Sequence, residues 1–320
     1  MFKKLFLVCA YILSLNAADP VPVNQKPYVV FRDQGKCDYM QDRSCAIIES
    51  DHAFFGVFDG HGTKEEGHVI ADFLSKNLYK NVIAHGMQEG FVNCDLQMTE
   101  ELADNIMNRE GSTSSVVLIK ENKIQVGHVG DSKIVLIRNN EVIELTNDHT
   151  PDDKDPEYQR IKILAEQNNK DFKNIIRKYG HEWYVISIEH NSALTMTRAF
   201  GDRNYSPYVI PTPEINVLDQ TTEDEFLILA TDGIWDALKP QDVWDILKSY
   251  RDWAFGGQRV LSTAKTYWQM GGDRIDNIEI VVVNLKLLKE QQKQKALSRI
   301  IQEANEDEED YQLPQFHEED

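Results

Sequence analysis

Two apolar runs of this chain end alike: "AFFGVF" on Asp59-Gly60-His61-Gly62, and "FLILAT" on Asp232-Gly233. Runs of this length, rich in Phe, Val, Ile and Leu, are short for helices and read as buried strands. A carboxylate at the end of such a strand sits at the rim of a sheet, where the following glycine lets backbone approach closely. Asp-Gly is also a common turn pair, and a single occurrence would mean no more than that. The device recurs, however. "VGHVGDSKIVLI" sets Asp131 between two apolar runs, and "DRIDNIEIVVV" sets Asp276-Asn277 just before the last one. Four separate strands thus meet polar loops at an aspartate, and Asp236 follows Asp232 by four residues.

The remaining pattern places helices around these strands. Residues 19–29 are Pro-rich and extended, and strands are expected near 37–40 and 44–49. Val69, Ile70, Phe73, Leu74, Leu78 and Ile83 recur at helical spacing until Gly86 stops them. A weaker helix is expected over 97–108, Pro156 opens another, and "PQDVWDILKSY" is amphipathic. Residues 166–192 are polar and irregular, an insertion or a flap. The spacing predicts an α+β fold over residues 30–288, with sheets inside and helices outside, followed by a helical and then acidic tail over 289–320.

The formal charge of −19 over 320 residues argues against nucleic acid or an anionic membrane as the main partner. Nine acids and no Lys or Arg lie between Glu303 and Asp320, which reads as a solvated, disordered tail. At the other end, Lys3 and Lys4 precede the apolar run "LFLVCAYILSL" and the small residues of "NAAD". This is the pattern of a secretory signal over residues 1–18, with cleavage after Ala17 or Ala18 and no membrane span afterwards. The expected address is the secretory pathway, luminal or outside the cell. Cys37, Cys45 and Cys94 then remain, an odd set without metal-ligand spacing, so the fold is not expected to rest on a disulfide.

Oxygen ligands offered by several strands suit hard divalent cations such as Mg²⁺ and Mn²⁺. A carboxylate shared by two ions would hold them about 4 Å apart, the arrangement for in-line displacement at phosphorus. "FFGVFDGHG", "GSTSSVVLI", "VGHVGDSKIVLI", "LTNDHTP", "LTMTRAFGD", "ATDGIWD" and "DNIEIVVV" follow one another in the order found in metal-dependent Ser/Thr protein phosphatases of the 2C family. The chain resembles that family from about residue 30 to 285. The resemblance implies a β-sandwich of two antiparallel sheets flanked by helices, two Mg²⁺ or Mn²⁺ ions with a further weak one, phosphoprotein substrates and a monomer. Matched by position, Asp59 resembles the bridging ligand, with the Gly60 carbonyl beside it. Asp42, Asp232 and Asp276 match further metal ligands, Asp131 and Asp236 match acids of the weaker ion, and His61 matches the proposed general acid.

Two positions depart from the family pattern. In "CDYMQD", Cys37 stands where a phosphate-binding Arg is expected, and Gln41 where a Glu helps hold the second ion. Arg offers phosphate a planar fork of donors, and Cys offers none. Arg32, Arg43 or a residue of 166–192 could compensate. Weaker second-metal and substrate binding is the expectation, with a phosphatase fold kept for binding without turnover as the alternative. Cys37 as a nucleophile is the poorer reading, because its neighbour is acidic and no loop of backbone N–H groups surrounds it.

Overall fold

In the computed structural model, which describes residues 26–62, 66–272 and 275–309, strands β1 (Tyr28–Asp33), β2 (Arg43–Ile48), β3 (His52–Phe58) and β4 (Gly60–Gly62) lead into three helices. These are α1 (Gly67–His85), α2 (Met87–Glu101) and α3 (Asp104–Arg109). Strands β5 (Glu110–Ser112), β6 (Ser114–Lys120), β7 (Lys123–Val129), β8 (Lys133–Arg138) and β9 (Glu141–Glu144) follow, then α4 (Pro156–Gln167). After the short strands β10 (Ile176–Tyr179), β11 (Glu182–Ser187), β12 (Ser192–Leu194) and β13 (Phe200–Gly201) come β14 (Glu214–Asp219) and β15 (Asp224–Ala230). Helices α5 (Asp232–Trp235), α6 (Pro240–Lys248) and α7 (Trp253–Gly271), strand β16 (Ile278–Asn284) and helix α8 (Leu285–Glu309) complete the chain.

Two five-stranded antiparallel sheets, ordered β1-β16-β15-β8-β9 and β14-β7-β6-β3-β2, face each other. Alternation along the strands explains why. In β3, Ala53, Phe55 and Val57 enter the core between the sheets, where they meet Leu227, Leu229, Val281 and Val283. Phe54 and Phe58 point the other way, onto Ile70, Leu74 and Leu78 of α1 and Phe91 of α2. In the second sheet Ile228, Val282 and Val135 turn outward onto α6 and α7. The result is helices, sheet, sheet, helices, an α+β sandwich as expected. Full burial of each Phe or Leu contributes about 2 kcal/mol, so this four-layer core fixes the strand ends firmly.

Several sequence expectations change. Residues 37–40 form a loop rather than a strand. Its carbonyls are claimed by side chains, since Gln34 Nε2 donates to Cys37 O at 2.8 Å and Asn277 Nδ2 to Tyr39 O at 3.2 Å. The weak helix of 97–108 is two helices, α2 starting already at Met87, broken where Leu102 and Ala103 turn extended. The stretch 166–192 is not irregular: β10, β11 and β12 form a three-stranded sheet beside α4. Ile161, Ile176, Val185, Met196, Tyr205 and Val209 give this flap its own core. Helix α8 carries the chain to Glu309, while the signal sequence, most of the lead-in and residues 310–320 lie outside the described residues. No helix among the described residues is long and apolar enough to cross a membrane.

A buried ion pair anchors the flap. Asp155 caps α4, accepting from Glu157 N at 2.8 Å, and Glu157 receives Arg198 Nη2 at 2.7 Å and Arg160 Nε at 2.9 Å. Burial alone would raise the Glu157 carboxyl, but the two guanidinium groups hold it down at about 2. A depressed carboxyl stabilises the fold above its unfolded value of 4.5, and that stabilisation is lost as the pH falls toward about 2. Glu157→Gln strands two guanidinium groups and is expected to cost about 3 kcal/mol at neutral pH. Hydrogen exchange would register this as faster exchange across 156–200 with β3 and β16 unchanged, and the wild-type flap should show the same loss below pH 4.

Candidate metal centre

The strand registers bring the aspartates to one edge of the sandwich. Arg43 pairs with Phe58, so Asp42 before β2 lies beside Asp59 after β3. Ala230 pairs with both Lys133 and Ile280, which sets Asp232 after β15 near Asp131 before β8 and Asp276 before β16. Local bonds then aim the side chains. Thr231 Oγ1 donates to Asp42 Oδ2 at 2.8 Å, and Asp59 N donates to Thr113 Oγ1 at 3.1 Å. Asn277 N donates to Asp276 Oδ1 at 2.9 Å, while its own Oδ1 receives Gln41 N at 2.6 Å. Thr113, Thr231 and Asn277 lie within the family-like motifs with no role expected of them, yet Thr231 and Asn277 orient the Asp42 and Asp276 carboxylates and Thr113 holds the Asp59 backbone.

The Asp59 carboxylate lies within hydrogen-bonding reach of both Asp42 and Asp232. Carboxylates tolerate such contact only by sharing a proton or a cation. Burial, and then the charges of Asp232, Asp42, Asp131 and Asp276, raise the Asp59 carboxyl far above the usual range. Asp232 is raised in the same way, by burial and by Asp131, Asp276 and Asp236. Burial pushes Asp42 up to about 8, and burial with Asp148 pushes Asp131 up to about 6. Asp42 is 1% exposed, and its Oδ1 has no hydrogen-bond partner among the described residues. Donors of this kind, all oxygen and all anionic, fit a hard divalent cation. The structure thus gathers Asp42, Asp59, Asp131, Asp232, Asp236 and Asp276 at a single place. Gly60 lies beside them, where only glycine fits, because a Cβ would come within 2.6 Å of Gly67 C and O.

His61 joins the cluster from β4, and its Nε2 lies 2.6 Å from Asp202 Oδ2. Burial lowers the imidazole, but the Asp202 carboxylate outweighs it, and the net shift is upward. Sequence reasoning missed Asp202, which lies 141 residues away in the chain. Cys37 Sγ sits 3.7 Å from Ile275 O and 3.8 Å from Asp276 Oδ1. Burial and the Asp276 charge raise this thiol, which therefore stays protonated and is a poor nucleophile. Gln41 Oε1 is buried against Gly67, without a donor among the described residues.

Of the groups that could replace the missing phosphate fork, Arg32 and Arg43 are engaged elsewhere. Arg32 Nη2 bonds Glu279 at 2.9 Å, and Arg43 Nη1 clamps Met40 O at 2.8 Å and Asp42 O at 2.9 Å.

A second gathering of ligand types, His128, His149 and Glu214, lies where β7 meets β14. The two imidazoles stack with centroids 4.4 Å apart and planes 16° from parallel. A cation binds in the plane of an imidazole, and stacked planes cannot share one without a ring turning. Gly130 N also donates to His149 Nδ1 at 3.2 Å, which leaves the neutral ring its proton on Nε2. This trio braces the sheet edge and is not arranged for coordination.

The same chain matches a family model described as protein phosphatase 2C over residues 33–262. "Probable protein phosphatase 2C 11" of Arabidopsis thaliana is 34% identical over 261 residues, covering 78% of this chain and 63% of that protein. "Probable protein phosphatase 2C 56" of Oryza sativa subsp. japonica is 32% identical over 231 residues, covering 68% and 60%. The chain thus spans a little under two thirds of these relatives' length. Among solved structures, a serine-threonine phosphatase 2C from Toxoplasma gondii superposes with a TM-score of 0.66 at 21% identity, over 83% of this chain and 98% of that one. A C. elegans sex determining protein gives a TM-score of 0.69 at 20% identity, over 92% and 74%. These likenesses establish the fold.

Crowded carboxylates predict an opposite response to one substitution with and without metal. In metal-free protein Asp232→Asn relieves repulsion and should raise the melting temperature by roughly 2–4 °C, the equivalent of about 1 kcal/mol. Mn²⁺ should raise the wild-type melting temperature and leave that of the variant unchanged, which differential scanning fluorimetry would read directly.

Proposed function

The chain belongs to the protein phosphatase 2C family, whose model spans residues 33–262, and on that premise we propose that it hydrolyses phosphoserine and phosphothreonine in proteins with Mg²⁺ or Mn²⁺. The observation that carries this reading is the Asp59 carboxylate placed against both Asp42 and Asp232. Asp59, Asp232 and Asp276 would hold one ion, Asp59 and the Gly60 carbonyl a second, and Asp131 with Asp236 a weaker third. When bound, the ions supply an acidified water and neutralise phosphoryl charge. The chain's own residues do the rest. The carboxylates fix the geometry for in-line attack on phosphorus, and His61 gives a proton to the departing serine or threonine oxygen.

The departures at positions 37 and 41 support a second reading, a phosphatase fold kept for binding. Cys37 contributes a neutral thiol where phosphate needs donors, and Arg32 and Arg43 are engaged with other partners. The intact acids around Asp59 support the catalytic reading instead. We place the protein as a monomer in the secretory pathway, lumen or extracellular space. What supports this address is Lys3 and Lys4 followed by the apolar run to Leu15, which lies outside the described residues.

A phosphothreonine peptide, with Mn²⁺ and Mg²⁺ titrated and Asp232→Asn as the blank, tests the proposal. Metal-dependent turnover lost in the blank is expected. Cys37→Arg should then lower KM about tenfold, the worth of one charge-assisted phosphate contact. Gln41→Glu should lower the Mn²⁺ concentration needed. No turnover in a folded sample, restored only by both substitutions together, would instead establish the binding role.

A further inference from the structure

We propose that Asp202 is the positioning residue of the phosphatase reaction: it holds His61 through Nε2 and so makes Nδ1 the atom that delivers a proton to the leaving oxygen. The inference rests on the phosphatase reading and adds to it a residue and an atom.

The carboxylate is built into place by three elements. Asp202 is 2% exposed, with left-handed backbone at φ 50° and ψ 34°, and its N–H donates to Glu110 O at 3.0 Å. Opposite it, Gly111 leaves the room that the pair needs, since a Cβ there would come within 2.0 Å of Asp202 Oδ2 and 2.5 Å of His61 Nε2. The next residue is tied to α2, where Arg203 Nη2 bonds Asp95 Oδ2 at 3.0 Å and Thr99 Oγ1 at 2.5 Å. Backbone, cavity and anchor therefore all serve one contact, the 2.6 Å bond to His61 Nε2.

A carboxylate in this position accepts, so Nε2 carries hydrogen and donates. Nδ1 is then the remaining functional nitrogen. It is buried and has no hydrogen-bond partner among the described residues. The geometry matches the general pattern in which a buried acid sets the tautomer of a catalytic histidine and stabilises its doubly protonated form, without itself taking the proton. In the step that follows, the oxygen of water forms its bond to phosphorus while the bond from phosphorus to the serine or threonine oxygen breaks. The electron pair leaves with that oxygen, which takes the Nδ1 proton. Water's own proton passes to solvent, and solvent later reprotonates the neutral ring.

A ring that only supports the fold would not distinguish between leaving groups, and an acid must. Threonine alkoxide needs a proton to depart, whereas p-nitrophenolate is a stable anion and does not. Asp202→Asn keeps the shape and tolerates the left-handed backbone. It is expected to lower kcat on a phosphothreonine peptide by about 100-fold, at the lower end of what general acids provide. On p-nitrophenyl phosphate the change should stay within about threefold. His61→Gln should show the same split, and the double variant should be no worse than either single one, because the two act as a unit. Equal losses on both substrates, or additive losses in the double variant, would overturn the assignment. Absence of metal-dependent turnover by the wild type on either substrate would sink the phosphatase reading instead. In that case the ring nitrogen-15 shifts of His61 still decide the geometry: hydrogen on Nε2, lost from its locked state in Asp202→Asn, supports the bond, and hydrogen on Nδ1 alone refutes it.

Discussion

Six aspartates held at one edge of the sandwich, by strands of both sheets, repel one another, and the packing of the sandwich keeps them there. Two like charges about 4 Å apart oppose each other by roughly 4 kcal/mol at the effective dielectric of a protein surface. A flexible scaffold would relax and let them part. This one resists because Asp59, Asp131, Asp232 and Asp276 each flank a strand that is largely buried, as β3 and β16 are on both faces. The strands cannot slide by one residue without turning their core side chains outward. Protonation or a cation would relieve the charge, and burial raises the Asp42 and Asp131 carboxyls accordingly.

The phosphate side of the site is less complete than the metal side. Cys37 faces Asp276, one of the acids, and shares its electrostatic surroundings without adding a positive charge. Arg32 and Arg43 serve structural bonds instead: one neutralises the buried Glu279, and the other ties the loop before β2 to its own carbonyls. Freeing either would leave buried polar groups unpaired, which costs more than a surface phosphate contact returns.

Much of this was legible in the sequence. Apolar runs ending on Asp-Gly located β3 and β15, because a strand buried on both faces leaves a continuous hydrophobic signature. The four-strand convergence of acids followed from the same runs. The flap was not legible, since β10 reads Ile-Arg-Lys-Tyr and β11 opens on Glu182. Its core borrows Met196, Tyr205 and Val209 from beyond the stretch, so no local window contains it. Residues 37–40 resembled a strand because one of the side chains that satisfies that loop, Asn277 on Tyr39 O, lies 238 residues away and outside any local pattern. Asp202 was hidden for the same reason. It closes the motif "LTMTRAFGD", but its partner is 141 residues away and the motif gives the acid no role toward a histidine.

The flap and the metal edge are also less independent than their separate cores imply. Thr197, in the flap's return to the sandwich, donates its N–H to His149 O at 2.8 Å, and its hydroxyl reaches Glu157 at 3.0 Å. His149 in turn donates its N–H to Gly130 O at 3.0 Å and receives Gly130 N–H on Nδ1 at 3.2 Å. Gly130 immediately precedes Asp131. A chain of four bonded residues therefore runs from the Arg198–Glu157 pair to an acid of the cluster. Burial, with His128 stacked against it, lowers the His149 imidazole to about 3, so the ring stays neutral and its bond to Gly130 holds across the ordinary pH range. These bonds tie the flap to the sheet edge. Any displacement of the flap would therefore strain the turn that carries Asp131.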